Sequence, residues 1–396
     1  MNPYERQNNT VTTRLETCRY NSMKAKIASG VVLVGVIIGL LIYTQPERLV
    51  PPPTALEQQT TSSQTHPRPG RDLLASAPVV VEPVQETPTI TNLLNRLLHD
   101  GEAPRLTLEQ AEAYLNQNGR NVESLLAASD ASDRKYLREA MEKFPNDPRV
   151  AFRAAYFAAY SANPNATEEE ANSSRRQWLD VFKQSAPDNA MADYLSAADH
   201  FRAGDKDKAF AEMASGMRKS MEDYSQDFML NAEEAYRQAG YSEAESKLIA
   251  NMSLLLPQEA QFKSAGRSLV ELATAFRQAG DQGSADAALQ MAINFGQRLN
   301  SPNSLTLIEP LVGIAIQNIA YKSLDPNGMF GDSGKTVQWQ LDSLTQQRAG
   351  IKAIAQNWDN ITSRMSETDL VAYLNRQRLY GEQATMQWAR TRFGVQ

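Results

Sequence analysis

Tyr194–Met213, YLSAADHFRAGDKDKAFAEM, and Leu272–Ala292, LATAFRQAGDQGSADAALQMA, decide the fold class of this chain. Each reads as a helix whose apolar residues recur at three- and four-residue intervals, then a glycine, then a second helix opening on alanine. The joint recurs. Phe201-Arg202-Ala203-Gly204, Tyr236-Arg237-Gln238-Ala239-Gly240 and Phe276-Arg277-Gln278-Ala279-Gly280 place their glycines 36 and 40 residues apart, and Ala209, Ala244 and Ala285 follow. Glycine permits the turn, an aromatic fills the wedge between helices, and alanine lets the next backbone come close. A second joint, Phe144-Pro145-Asn146-Asp147-Pro148, returns as Ala186-Pro187-Asp188-Asn189-Ala190 with its first proline 42 residues on.

Working outward, Thr107-Leu108-Glu109-Gln110 is a capping box and Gly119 a helix stop. Thr167-Glu168-Glu169-Glu170 and Ser366-Glu367-Thr368-Asp369 start further helices with acids at the positive dipole end. Val337–Ile361 and Asp369–Phe393 read as two longer helices carrying Trp339, Trp358 and Trp388, expected as core residues. With β-branched runs scarce, the expected class is all-α.

The paired pattern over 135–295 resembles a degenerate tetratricopeptide repeat array, a family whose period is 34 residues. The resemblance implies an α-solenoid of antiparallel helix pairs over 106–312, closed by a helical cap over 313–396. The chain is also similar to membrane-anchored, repeat-bearing bacterial envelope proteins, which implies an address and a fold but no activity.

The address rests on Ile27–Tyr43, IASGVVLVGVIIGLLIY, seventeen residues without a charge. At ~1.5 Å per residue such a helix just crosses a hydrocarbon core of ~30 Å. The 1–26 tail carries Arg6, Arg14, Arg19, Lys24 and Lys26 against Glu5 and Glu16, a net +3. Basic residues beside a span stay in the cytoplasm. The expected topology is therefore single-pass in the inner membrane, N-terminus cytoplasmic and C-terminal domain periplasmic. A cleaved signal is the rival, but Thr44-Gln45-Pro46-Glu47-Arg48 lacks a small-residue cleavage pattern. Gly35 and Gly39 form a G-x-x-x-G, read as a candidate transmembrane homodimer face beside the plainer reading of ordinary membrane glycines. Cys18, the single cysteine, lies in the tail, so the exported part has no disulfide and no thiol nucleophile.

Residues 44–105 read as a linker rich in proline, serine, threonine and glutamine. A short amphipathic helix over 90–99, with Leu93, Leu94, Leu97 and Leu98, is expected to dock on the following domain.

The whole chain carries −6, which leaves −9 beyond the tail. That excludes nucleic acid as a natural partner, because its binding needs basic groups against phosphates. Chemistry is sparse. Gly331-Asp332-Ser333-Gly334-Lys335-Thr336 lacks the earlier glycine of a phosphate loop. Asp325, Asn327 and Asp332 lack calcium-loop spacing and a closing glutamate. His66, His99 and His200 have no second ligand at zinc spacing. No catalytic residue, cofactor or metal is expected. The function expected is a tethered scaffold or adaptor for a protein or peptide partner, with a self-associating envelope component and an enzyme or small-ligand receptor as alternatives. Arg202, Arg237 and Arg277 are the candidate partner-binding residues, as a ladder gripping an acidic peptide. The plainer reading has each capping its own helix end.

Overall fold

The structure, a computed structural model, describes Leu93, Arg96, Leu97 and residues 103–395 apart from 163–164, 303, 332–333 and 357. The basic tail, the apolar segment with Gly35 and Gly39, Cys18, His66, His99 and Asp332 lie outside the described residues. Among the described residues no helix is long and apolar enough to cross a membrane. These residues are all-α, with no strand beyond two isolated bridges.

The helices are α1 (Leu108–Asn118), α2 (Val122–Ala131), α3 (Lys135–Lys143), α4 (Pro148–Ala162), α5 (Glu168–Ser185), α6 (Ala190–Arg202), α7 (Lys206–Gly216) and α8 (Ser225–Gln238). They continue as α9 (Glu243–Met252), α10 (Pro257–Gln278), α11 (Gln282–Leu299), α12 (Ile308–Lys322), α13 (Val337–Gln356), α14 (Trp358–Thr362) and α15 (Glu367–Phe393). The capping boxes at Thr107, Thr167 and Ser366 all form.

The three glycine joints share one geometry. Gly204, Gly240 and Gly280 adopt φ of 79°, 98° and 82°, the left-handed region where a Cβ is penalised. Each glycine N–H donates to the carbonyl three residues back, at 3.1 Å in all three. The following N–H reaches the carbonyl five back, at 3.0, 3.2 and 2.9 Å. This double closure satisfies carbonyls that the helix end leaves free. It turns the chain so that α6 pairs with α7, α8 with α9 and α10 with α11. Ala209, Ala244 and Ala285 are buried in the second helix of each pair.

The pairs do not stack in simple sequence order. The α6–α7 pair packs directly on α10–α11, with the Tyr194 ring 4.6 Å from Phe295 and 6.3 Å from Phe262. The intervening α8–α9 pair leaves the row and packs on α2 and α15. The connector after α7 explains the departure. Asn189, which caps α6, donates to the Glu222 carbonyl at 3.0 Å and accepts the Glu222 N–H at 3.0 Å. Lys219 pairs with the buried Asp193 at 2.7 Å, and Arg298 donates to the carbonyls of Gly216 and Lys219. The chain is thus pinned across the start of α6 and released on its far side.

Of the segment before the repeats, Leu93, Arg96 and Leu97 are described. Leu93 is fully buried, and Arg96 bridges Glu245 of α9 at 3.0 Å and Glu367 of α15 at 3.3 Å. The division expected at 312/313 falls inside the continuous α12, so the repeat region passes into the C-terminal helices without a break. There α11 and α12 cross backbone to backbone. A Cβ on Gly313 would sit 2.4 Å from the Gly296 carbonyl oxygen and 2.7 Å from the Asn300 nitrogen. Trp358 is core, against Tyr373 at 4.9 Å, and Trp388 is partly buried. Trp339, expected in the core, is instead 51% exposed under the Lys335 ammonium. The loop before it closes by backbone bonds from Val337 to Gly328 and from Gln338 to Pro326, and Thr336 caps α13 through the Trp339 N–H.

Two tests follow from this packing. Gly313→Ala must push backbone against backbone, and should cost about 1–3 kcal/mol in urea unfolding; a variant as stable as wild type would mean the crossing yields. The second concerns Glu382, buried just past the Gly381 bend of α15 and accepting the Leu307 N–H at 2.6 Å. Burial pushes its carboxyl up to about 7, against the pull of that N–H. Between about 4.5 and 7 the folded chain then holds a proton that the unfolded chain has lost, so stability falls as pH rises through this window. Glu382→Gln keeps the acceptor and cannot ionise. Between pH 5 and 8 the wild type should lose stability relative to it, by on the order of 1–3 kcal/mol, and parallel curves would remove the carboxyl from the account.

Candidate functional site

The three candidate arginines go to different places. Arg202 and Arg237 differ in register: Arg202 lies two residues before its glycine, whereas Arg237 and Arg277 lie three before theirs. One residue on a helix is a rotation of ~100°. Arg202 pairs with Asp199 at 3.2 Å and donates to Gln261 near the start of α10. Arg277 stands sixteen residues further along α10, about 24 Å away at 1.5 Å per residue. It donates to the Ser323 carbonyl at the end of α12, at 3.1 Å. Arg237 is exposed on the displaced α8, beside Gln238, which bonds Asn118 of α1. No regular edge joins the three, and neither Arg202 nor Arg277 caps its own helix through these bonds.

Arg202 belongs instead to a compact cluster built by α5 and α6. Its centre is Asp199, 5% exposed. Arg176 of α5 pairs with Asp199 Oδ2, Arg202 with Oδ1 at 3.2 Å, and Arg175 approaches Oδ1 at 3.8 Å. Arg176 also places Nη1 at 3.1 Å from His200 Nδ1. Arg175 donates to Asn172 at 2.7 Å, while its Nε and the Ser196 hydroxyl are buried without a hydrogen-bond partner. Three guanidiniums thus gather around one carboxylate in a chain that is acidic overall. Burial, and then the charge of Arg175, lower the proton affinity of Arg202, while Asp199 raises it. Glu168 and the hydroxyl of the half-buried Tyr156 also act on Arg202.

The local sequence explains the geometry. α5 opens with Glu168, Glu169 and Glu170 at its positive end, and places Arg175 and Arg176 one turn later. Adjacent helix residues diverge by ~100°, so the two arginines straddle the α6 face that carries Ser196, Asp199 and His200. A guanidinium is a donor fork with no acceptor. A site with two surplus forks is chemically suited to a carboxylate or phosphate oxygen pair. It contains no nucleophile paired with a base, and among the described residues no group of histidine, cysteine and acidic side chains is arranged to hold a metal. The Asp199–Arg202 pair, three residues apart, was visible in the sequence; the tandem Arg175-Arg176 was equally visible but gained meaning only when α5 was laid on α6.

Three other acids stand at the starts of helices, and of these Glu259 is buried with its Oε2 unpartnered. Asp223 accepts the N–H and hydroxyl of Ser225, at 2.9 and 2.7 Å, as α8 begins. Glu259 and Glu309 occupy the first turns of α10 and α12, where burial raises both carboxyls, Glu309 to about 7.

No family model matches the chain, and neither the curated proteins nor the solved structures contain a match.

Asp199→Asn tests whether the arginines are mutually strained. Removing the one central charge should destabilise the fold by about 2–4 kcal/mol, below the full cost of orphaning a buried charge because Arg176 and Arg202 remain partly in solvent. Sodium sulfate should recover part of that loss beyond what sodium chloride of equal ionic strength recovers. Equal recovery in both salts would show simple screening.

Proposed function

We propose that this protein is a non-catalytic helical scaffold that captures an acidic segment of a protein partner on the Arg175–Arg176–Arg202 cluster. The observation that carries the reading is the charge imbalance: three guanidiniums on two packed helices share one buried carboxylate. An incoming carboxylate relieves guanidinium repulsion and meets forks whose directions Asp199 has already fixed. Such preorganisation reduces the ordering cost of binding. The net charge of −6 argues that partner selection is local, since the molecule as a whole repels an acidic chain.

In this proposal the apolar Ile27–Tyr43 anchors the chain once in the inner membrane, and the proline-rich 44–105 linker holds the helical body on the periplasmic side. The tether would keep the cluster near the membrane at an effective concentration set by linker length.

The test is in-cell photo-crosslinking from position 261, at the rim of the cluster, in the full chain. A foreign protein with an acidic segment should be captured, and Arg175→Gln/Arg176→Gln should reduce capture at least about tenfold, the loss of one charged hydrogen bond or more. This double variant keeps the Arg202–Asp199 pair, so circular dichroism and urea unfolding can certify its fold. Undiminished capture by the folded variant, or crosslinks only between copies of this chain, would defeat the proposal.

A further inference from the structure

We propose that His200 is a pH gate on the arginine cluster, tightening its hold on an anion as the pH falls. The inference rests on the reading of the cluster as an anion site and adds the regulation of that site.

His200 lies between two opposed demands. On one side Arg176 Nη1 is 3.1 Å from His200 Nδ1. Arginine can only donate, so Nδ1 accepts and the ring proton resides on Nε2. On the other side the same Nδ1 is 4.0 Å from Asp205 Oδ2, at the start of α7. The neutral ring therefore serves Arg176, and a protonated ring cannot. With N–H on both nitrogens it presents a donor to a donor, and the carboxylate within reach of a small ring movement is Asp205.

The groups facing the imidazole come from each element around it. α5 supplies Arg176, with Arg175 beside it on Asp199. α6 supplies Asp199 and Arg202. The start of α7 supplies Asp205, which Lys208 also pairs at 2.8 Å. The α10 neighbour of the cluster, Gln261, is uncharged. The ring is mostly shielded, its side chain 15% exposed, so the charge it gains is incompletely screened.

One proton taken from solvent then does two things. It adds a positive charge next to three guanidiniums that share one carboxylate, and it ends the hydrogen bond that occupies Arg176 Nη1. The freed fork and the added charge both favour an incoming carboxylate.

The experiment uses the full chain in mild detergent at low ionic strength, with rhodamine-labelled hexa-aspartate as the probe. Its carboxylates stay ionised at both about pH 7.5 and about pH 5.5. Fluorescence anisotropy should show about three- to tenfold tighter binding at the lower pH, the factor one added charge supplies at this range in a partly screened site. His200→Gln keeps an acceptor for Arg176 and cannot take up the proton, so its affinity should not vary with pH. In ¹⁵N-histidine-labelled protein, where His200→Gln assigns one of the three histidine signals, Nδ1 of His200 should be unprotonated at the higher pH and protonated at the lower. Equal tightening in His200→Gln, or an Nδ1 that keeps one protonation state throughout, overturns the gate while leaving the anion site standing. Probe binding that survives Arg175→Gln/Arg176→Gln unchanged, or no binding at either pH, overturns the anion site and the gate together.

Discussion

A buried carboxylate, Glu233, holds the displaced helix pair to the rest of the molecule. It lies on α8, 6% exposed, with Lys247 of α9 at 2.7 Å and Arg378 of α15 on its other oxygen. A charge at that depth is tolerated only with partners that restore what water supplied, and removing one partner of such a group costs several kcal/mol. Here one partner comes from α9, next in the chain, and the other from α15, 145 residues away. The ion cluster therefore constrains where α15 runs, and through α15 the neighbouring contacts follow: Gln377 donates to the Leu305 carbonyl at 3.1 Å, Glu382 caps the entry to α12, and Arg96 clips Glu367 to Glu245. The C-terminal helix acts as a strap across the α8–α9 pair as much as a lid on the end of a row.

This strap changes what a repeat means in this protein. In a regular solenoid each unit contacts only its neighbours, so recurrent residues line up along one edge. The α7–α8 connector, pinned through Asn189, Lys219 and Arg298, sends one unit out of line. Arg202, one residue out of register with Arg237 and Arg277 in its joint, and the other two then face different neighbours. The site that does assemble, around Asp199, uses one of these arginines together with two from a helix that carries no glycine joint.

The balance of charge at that site is unusual for its burial. Ion pairs at helix junctions normally approach neutrality, since any excess charge must be stabilised in a medium of lower dielectric. Asp199 is shared by three guanidiniums, and His200 joins them through Arg176, with Asp205 at 4.0 Å. Such a cluster ties α5 to α6 through Asp199 while leaving guanidinium donors in excess of carboxylate acceptors.

The local devices were legible in the sequence because each depends on a few consecutive residues: the capping box at Thr107, the helix starts at Thr167 and Ser366, the glycine turns at 204, 240 and 280, and the apolar stripe of Leu93 and Leu97. Backbone chemistry within one turn decides these features, and helical periodicity then commits the body to an all-α fold. The exposure of Trp339 was not legible, because helical spacing is the same on a buried and a bare face. Nor was the exit of α8–α9 from the row, which depends on Asn189 meeting Glu222 and Glu233 meeting Arg378. Arg175 and Arg176 gained a chemical role only when α5 was laid against Asp199. A charge pattern in the sequence states which groups are available; packing determines which of them share a dielectric and a partner.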